Sequence, residues 1–432
     1  GFRAAINDHD LRIAEWIGVK WCRGVDQDLA YLGTVVPRPG TWWSDATQER
    51  LRADVDRWSA AGVSTLGYIN YNIPWNIPPG TQPHRTPPAD MALHAEMVAR
   101  LVGALDGRVQ FWELWNEPGG HFWGGSAAQY RGMLKAVWDR VKPDFPAAKL
   151  IAGGHYMWIS RNWVFPPATA DAGWCDGVAL HPYAKPGLWS PVSPALDAAL
   201  LAQAKGSDGG LWMTEVGTTP PWHFKGVPAA EAVHHVARSI APTYLLSKAG
   251  AGSTDLKVFW FMTAFGKPGP LEPRQSDPDC FNLWDRQVPM PGLAAYAAMT
   301  HHIEDGVLVE DVYAGSLRAW ALLFRKPDGS HVVALWPETT WPAVAQVEAD
   351  RQRSAWELPA LDFSASDWLG RPAGSVADGR LRFATVTRGV HYLRSARSAD
   401  EIRTALRQAA VTGLPLLRVA PQPIAALAAA GA

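Results

Sequence analysis

Residues 109–118 read Val109-Gln-Phe-Trp-Glu-Leu-Trp-Asn-Glu-Pro118, an apolar run that ends in an amide beside a carboxylate. Its β-branched and aromatic residues are typical of a β-strand that is buried on both faces, and the proline and two glycines that follow stop the strand and open a loop. Burying the Glu117 carboxylate among tryptophans costs several kcal/mol unless the group has a partner or a proton. The pattern indicates either a proton donor at the strand end or an ordinary loop cap or arginine partner.

The stretch Gly210-Leu-Trp-Met-Thr-Glu-Val-Gly217 repeats this pattern, because it is an apolar run that ends in Thr214-Glu215 before a loop. Two strands that both end in glutamate are hard to explain by core packing. A parallel α/β barrel gathers its strand ends on one rim, where catalytic groups collect. Two carboxylates on one rim are the groups that cleave glycosidic bonds, so Glu117 and Glu215 are the predicted catalytic pair.

Strand and helix patterns alternate through residues 1–304, which predicts an α/β fold of the TIM (β/α)8-barrel type. Seven strand patterns lie at residues 19–25, 64–72, 109–117, 149–153, 176–183, 210–217 and 256–262. A closed barrel needs eight strands. The missing strand is expected before Leu11, where it is either irregular or trimmed.

Short alternating segments replace this pattern after residue 304, and turn signals such as Pro327-Asp328-Gly329 separate them. Such segments are typical of an antiparallel β-sandwich. We therefore predict a barrel catalytic domain at residues 1–304 and a smaller β-sandwich accessory domain at residues 305–396. A C-terminal helix and an Ala/Pro-rich tail are predicted at residues 397–432.

The composition excludes several classes of protein. The 432-residue chain has a net charge of -1 and a pI near 7.0, so it has no general electrostatic attraction to nucleic acid or to anionic membranes. No apolar run reaches the roughly 18 residues that a membrane-spanning helix needs. Three cysteines exclude a disulfide framework, and Cys22, within a predicted strand, is expected to be a buried thiol.

The chain begins at Gly1, with neither Met nor a signal-peptide pattern. We expect a secreted or periplasmic protein whose leader is absent from this sequence, and a cytoplasmic protein is the alternative. The oligomeric state is not predicted.

Further polar and aromatic side chains are predicted at the same rim. His181 and Tyr183 alternate on one strand end, and Arg23 ends another. The Tyr183 hydroxyl and the Arg23 guanidinium can keep a neighbouring carboxylate ionised. Trp260 can form a wall for a sugar ring. The alternative roles are a structural histidine, a surface cation and a core tryptophan.

A proline-rich loop follows the strand that ends at Asn72, and it contains Trp75. The loop is too long and irregular for a simple connection, so we predict that Asn72 and Trp75 help to bind substrate. The pairs His234-His235 and His301-His302 have no metal-ligand spacing, and the sequence has no phosphate-binding glycine fingerprint. We expect neither a metal nor a cofactor.

Three motifs together, Trp115-Asn-Glu-Pro118, His181-x-Tyr183 and Thr214-Glu-Val-Gly217, resemble glycoside hydrolase clan A. Their order and spacing are most similar to family 39, over residues 11–393. The resemblance implies a retaining enzyme that acts on a β-linked oligo- or polysaccharide. In that reaction Glu117 would be the acid/base and Glu215 the nucleophile, while Asn116 would bind the sugar 2-hydroxyl.

One departure from family 39 matters, because that family usually has Asn at the position of Gly119. The resemblance therefore implies no named activity such as that of a β-xylosidase, and the sugar, the linkage and the choice of endo or exo attack are not predicted. The alternative function is a non-catalytic carbohydrate-binding protein on a hydrolase-like scaffold, since a fold does not determine an activity.

Overall fold

The computed structural model of the protein describes residues 8–24, 32–33, 35–119, 122–156, 174–181, 209–217, 229–251, 256–261, 283–285, 288–314, 316, 319–337 and 353–414. These residues belong to two compact units. One unit contains a parallel sheet and its first four helices. The other contains the three later helices that are described and the antiparallel sheets.

Seven parallel strands follow one another in the order in which they occur in the sequence. They are β1 (Trp21–Arg23), β2 (Ser64–Ile69), β3 (Phe111–Asn116), β4 (Lys149–Tyr156), β5 (Gly177–His181), β6 (Leu211–Val216) and β7 (Leu256–Trp260). The Nζ atom of Lys257 in β7 lies 5.6 Å from the centre of the Trp21 ring in β1, so the two outer strands approach each other and the barrel is nearly closed. All seven predicted strands and the barrel are confirmed. The eighth strand was expected before Leu11. Residues 8–10 of that stretch are helical, since they belong to the helix Asp8–Trp16, and residues 1–7 lie outside the described residues.

The helices described in this unit are α1 (Asp8–Trp16), α2 (Asp45–Ala60), α3 (Met91–Ala104) and α4 (Ala127–Val141). Side-chain caps fix where they begin. Ser44 accepts a hydrogen bond from the backbone of α2, and Ser126 and Gln129 form a reciprocal capping box at the start of α4. Both caps satisfy first-turn backbone N–H groups that have no partner within the helix, and so fix where α2 and α4 begin.

Aromatic side chains fill the end of the barrel where the strands begin. Trp212 of β6 packs edge-on against Trp21 at 5.2 Å and tilted against Phe111 at 4.9 Å. The strand beginnings are therefore closed by packing, and the polar side chains of the barrel gather at the opposite, carboxyl ends.

The second unit contains α5 (Ala229–Ala251, apart from its last residue), the short strands β8 (Trp284–Asp285) and β9 (Val288–Pro289), and α6 (Pro291–Ile303). Two antiparallel sheets follow in the chain. Their strands are β10 (Val307–Asp311), β11 (Ala319–Arg325), β12 (His331–Pro337), β13 (Arg353–Pro359), β14 (Ser364–Ser366), β15 (Ser375–Ala377), β16 (Arg380–Val386), β17 (His391–Ser395) and β18 (Ala410–Thr412). One sheet has the order β10-β11-β12-β17-β14 and the other β15-β16-β13-β18.

The two sheets enclose one apolar core, to which Leu323, Trp356, Phe383 and Leu393 contribute. The predicted β-sandwich is confirmed. Helix α7 (Ala399–Arg407) packs Ile402 into this core, and β18 pairs with β13. The boundaries of the domains, at residues 304 and 396, stay a prediction.

Cys22 is a fully buried free thiol, and its Sγ atom lies 3.6 Å from Oγ1 of Thr65. Burial raises the pKa of this thiol to about 12, which keeps it protonated and unreactive. Among the described residues, none of the helices is long and apolar enough to cross a membrane.

Candidate active site

Polar side chains from four strands meet at the carboxyl ends of the barrel strands. Arg23, the last residue of β1, connects three of them. Its Nη1 atom lies 2.5 Å from Oε1 of Glu215, and its Nη2 atom donates to Oδ1 of Asn116 at 3.1 Å. Its Nε and Nη2 atoms also donate to the two carboxylate oxygens of Glu113, at 2.6 and 2.9 Å. Arg23 thus connects Asn116 and Glu215 through one buried guanidinium.

Arg23 is only 2% exposed, and its charge is held by its neighbours. Burial by itself lowers the pKa of Arg23. Glu113, Tyr68 and Glu215 together raise it by more, so the pKa is well above its usual value. The guanidinium carbon also lies 3.8 Å from the centre of the Tyr68 ring. Arg23 is therefore a permanent buried cation, and the alternative of an ordinary surface cation is wrong.

Glu117 and Glu215 both approach the same ring nitrogen of His181. The Nδ1 atom of His181 is 2.8 Å from Oε1 of Glu117 and 3.6 Å from Oε2 of Glu215. One potential metal-ligand atom from each of the three residues, a ring nitrogen or a carboxylate oxygen, lies within 4.8 Å of the other two. Such a group could also hold a cation, but His181 and Glu117 already hydrogen-bond each other and Arg23 neutralises Glu215, so we assign no metal to it.

The backbone turns sharply where β3 ends. Trp115 has φ 77° and Glu117 has φ 46°, both in the left-handed region that bulky residues rarely adopt. Glu113 and Asn116 both reach Arg23, although an odd separation places residues on opposite faces of a regular strand. The turn at Trp115 breaks this alternation and directs Asn116 into the barrel. Strain of this kind costs on the order of 1–3 kcal/mol and is found at functional sites.

Aromatic packing holds the strained strand end in place. The indole nitrogen of Trp115 donates to the carbonyl oxygen of Phe122 at 2.7 Å, and its ring packs edge-on against Trp123 at 4.9 Å. The Tyr130 hydroxyl donates to the carbonyl oxygen of Leu114 at 3.0 Å and accepts from the backbone of Gly153 at 2.8 Å. These contacts fix β3 against β4 just before the catalytic candidates.

Gly154 leaves the space that His181 occupies. A Cβ atom at Gly154 would lie 2.0 Å from Nε2 of His181, so we expect Gly154→Ala to lower the free energy of unfolding by about 1–3 kcal/mol. Gly132 in α4 is a matched control with no atom within 4 Å of its Cβ position, and Gly132→Ala should stabilise the protein by about 0.5–1 kcal/mol. Urea unfolding of both variants measures the difference, and equal stability would contradict the close approach at Gly154.

The structure brings Arg23, Asn116, Glu117, His181 and Glu215 together at one rim, as predicted. It does not bring the Asn72 side chain into this group. Asn72 uses its amide within its own loop, because it donates to the Asn76 carbonyl oxygen and accepts from the Ile73 backbone. We therefore assign it to loop structure, and a direct sugar contact stays a prediction.

Three aromatic residues were predicted to bind the sugar, and the structure describes the two tryptophans but not the tyrosine. Trp75 is half-buried in the single turn of 3-10 helix at Pro74–Asn76. Trp260 ends β7 beside Val216, next to Glu215, and is 3% exposed. Tyr183 lies outside the described residues. Sugar binding by these three residues stays a prediction.

Two residues of the site were not among the predicted candidates. Glu113 is fully buried in the middle of β3, and Thr214 precedes Glu215 in β6. Glu113 is the one charged residue within the strand sequence FWELWN. An unpaired carboxylate could not be buried there, and this cost is the signal that could have identified it.

No protein-family model matches the chain, and no curated protein matches it. Several solved structures do match the chain in fold. A family 39 glycoside hydrolase from the gut symbiont Bacteroides cellulosilyticus WH2 matches 89% of this chain and 76% of its own, with 21% identity and a TM-score of 0.64.

Two further solved structures match over a similar length. A monomeric β-xylosidase from Caulobacter crescentus CB15 matches 89% of this chain and 91% of its own, with 15% identity and a TM-score of 0.59. A family 30 endoxylanase from Clostridium papyrosolvens C71 matches 90% and 93%, with 12% identity and a TM-score of 0.57. The predicted resemblance to family 39 and clan A is confirmed as a likeness of fold: this chain has the barrel-and-sandwich fold of these glycoside hydrolases.

Proposed function

We propose that the protein is a retaining glycoside hydrolase, with Glu117 as acid/base and Glu215 as nucleophile. The observation that carries this proposal is the short distance between the two carboxylates, which have oxygens within 4.8 Å of each other. Retaining enzymes hold their carboxyl groups about 5–5.5 Å apart, whereas inverting enzymes need about 6.5–9.5 Å to admit a water molecule. The spacing supports double displacement rather than inversion.

In the first step an oxygen of Glu215 attacks the anomeric carbon while Glu117 protonates the departing glycosidic oxygen. The contact with Arg23 supports the role of Glu215, because a neighbouring cation keeps a carboxylate ionised and able to attack. The short contact with His181 supports the role of Glu117, because it gives that carboxyl a partner with which to hold a proton. The product of this step is a covalent glycosyl-enzyme.

In the second step Glu117, now ionised, takes a proton from a water molecule that attacks the anomeric carbon. The bond to Glu215 breaks, and the sugar leaves with its original configuration. Asn116 is the candidate for binding the 2-hydroxyl group, since its amide is held at the same rim by Arg23. A hydrogen bond to that hydroxyl strengthens in the transition state and contributes to catalysis.

The structural relatives suggest which substrates to test first, since they are named as a β-xylosidase and an endoxylanase. We expect the purified protein to hydrolyse at least one 4-nitrophenyl β-glycoside from a panel that includes the xyloside and the glucoside, or to depolymerise a β-linked polysaccharide such as xylan. Proton NMR of the first product measures its anomeric configuration. A β-anomer formed first would support retention, and an α-anomer would contradict it.

The same panel separates the two classes of function. Glu215→Gln, purified in parallel, controls for contaminating glycosidases. Binding of oligosaccharides by calorimetry without hydrolysis of any panel member would favour the alternative, a non-catalytic carbohydrate-binding protein.

A further inference from the structure

Glu113 is a third buried carboxylate, and the proposed reaction gives it no step. Four donors converge on its two oxygens, since besides both Arg23 contacts it accepts from the Thr214 hydroxyl at 2.8 Å and from the Gly154 backbone at 2.9 Å. A protonated carboxyl would point its own hydrogen at one of these donors. The geometry therefore requires an ionised Glu113, which can only accept hydrogen bonds.

This acceptor fixes the direction of the Thr214 hydroxyl. A hydroxyl has one hydrogen, and Thr214 must give it to Glu113 because an ionised carboxylate has none to offer. The Oγ1 atom of Thr214 also lies 3.1 Å from Nε2 of His181. Since the hydroxyl hydrogen is already committed, His181 must donate in this contact, and its Nε2 atom carries a hydrogen.

The protonation of Nε2 in turn constrains the contact between His181 and Glu117. The Nδ1 atom of His181 and Oε1 of Glu117 are 2.8 Å apart, so a hydrogen must lie between them. A neutral ring with its hydrogen on Nε2 and an ionised Glu117 would set two lone pairs against each other. The His181–Glu117 pair therefore holds one transferable proton, on the carboxyl oxygen or on Nδ1.

We propose that Thr214, oriented by Glu113, is a positioning residue that keeps the catalytic proton on the His181–Glu117 pair. The inference deepens the proposed function and rests on it, because it identifies what makes Glu117 an acid at rest. Among the described residues, the titratable and charged groups around this pair are Arg23 of β1, Tyr68 of β2, Glu113 of β3 and Glu215 of β6.

The same arrangement explains how the proton returns. Transfer of the proton to the departing oxygen leaves an ionised Glu117 against the Nδ1 lone pair, because Thr214 still holds the hydrogen on Nε2. This repulsion favours recapture of a proton from water in the second step. One proton leaves with the first product and one is recovered from water, so the cycle closes without another proton donor.

The first test measures where the hydrogens of His181 are. In protein labelled with ¹⁵N-histidine, the ring nitrogen shifts should show a protonated Nε2 for His181, assigned by the signal that His181→Asn removes. Thr214→Val deletes the hydroxyl and keeps the side-chain shape, so Nδ1–H facing an ionised Glu117 becomes the favoured form. Thr214→Ser restores the hydroxyl and should restore the wild-type spectrum.

The second test measures the effect on leaving groups. Thr214→Val should lower kcat/KM about 10- to 100-fold for aryl glycosides with poor leaving groups, which need general acid help. It should change kcat/KM less than about threefold for a 2,4-dinitrophenyl glycoside, and Thr214→Ser should behave like wild type. Thr243→Val is the matched control, since Thr243 is equally buried but its hydroxyl donates to the Ser239 carbonyl oxygen within α5, away from the barrel rim.

The two tests separate the proposals. A wild-type spectrum with an unprotonated Nε2, or a Thr214→Val spectrum like that of wild type, would overturn the role of Thr214 whatever the enzyme does. An equal loss of rate on all substrates would also overturn it, because it would indicate a merely structural threonine. A protein with the expected spectra that hydrolyses no glycoside would overturn the proposed function instead.

Discussion

Glu215→Ala should abolish the hydrolysis of every glycoside, including those with leaving groups that need no protonation. The reason is that the proposed reaction begins with a bond between Glu215 and the anomeric carbon, and alanine cannot form it. We expect kcat/KM to fall on the order of 10⁴-fold or more, as when other covalent nucleophiles are removed. Initial rates on a 2,4-dinitrophenyl glycoside measure this loss. Intact-protein mass spectrometry should detect no glycosyl-enzyme in the variant.

The remaining contacts of Arg23 should keep the Glu215→Ala variant folded, so its loss of activity can be distinguished from misfolding. It loses one carboxylate in Glu215→Ala but retains Glu113 and Asn116, so the variant should fold and lose only about 1–3 kcal/mol of stability. Glu310→Ala is a control for the substitution itself, because Glu310 of β10 pairs with Arg403 of α7 and its loss should leave rates unchanged.

An experiment with azide could contradict the assignment of Glu215 as the nucleophile. In the Glu215→Ala variant a small anion can occupy the emptied position and attack directly, which gives a glycosyl azide of inverted configuration. Recovery of a product with retained configuration would mean that another group forms the covalent intermediate. Wild-type rates on an activated substrate would contradict the role of Glu215 directly.

The barrel could be predicted because each strand is an apolar run that ends at a turn residue, and this pattern depends only on local sequence. The sandwich was predicted less completely. Strand β13 alternates buried and exposed residues, and its Trp356 and Leu358 enter the core, but charged residues interrupt the run. Its place in the sheet depends on pairing with β16 and β18, which a local pattern does not contain.

Some residues of the candidate site could likewise be predicted from local sequence, and others could not. Glu117 and Glu215 could be predicted because a carboxylate at the end of an apolar strand is costly and visible in the sequence. Glu113 was missed because its partner, Arg23, lies 90 residues away, and only the closed barrel brings them together. The left-handed turn at Trp115 was missed as well, since no glycine marks it and tertiary packing imposes it.

Glu117→Ala should affect substrates according to their leaving groups, whereas Glu215→Ala should abolish hydrolysis of all of them. Its loss removes the proton donor, so kcat/KM for poor leaving groups should fall about 10²- to 10⁴-fold. Activated leaving groups should retain most of their kcat/KM, because their bond breaks without protonation. Their kcat should fall, since no base remains to activate water, and the glycosyl-enzyme on Glu215 should accumulate.

Added azide distinguishes this role from a general loss of structure. Azide needs no base, so it should attack the accumulated glycosyl-enzyme, raise kcat and yield a glycosyl azide of retained configuration. The His181–Glu117 contact adds a condition, because His181 is left in the Glu117→Ala variant with its Thr214 partner but without its acid. If the variant retained full rates on poor leaving groups, the proton would have to come from another residue, and His181 would be the first candidate because its Nδ1 atom lies 3.6 Å from Glu215. If azide left kcat unchanged, Glu117 would not be the base that activates water in the second step.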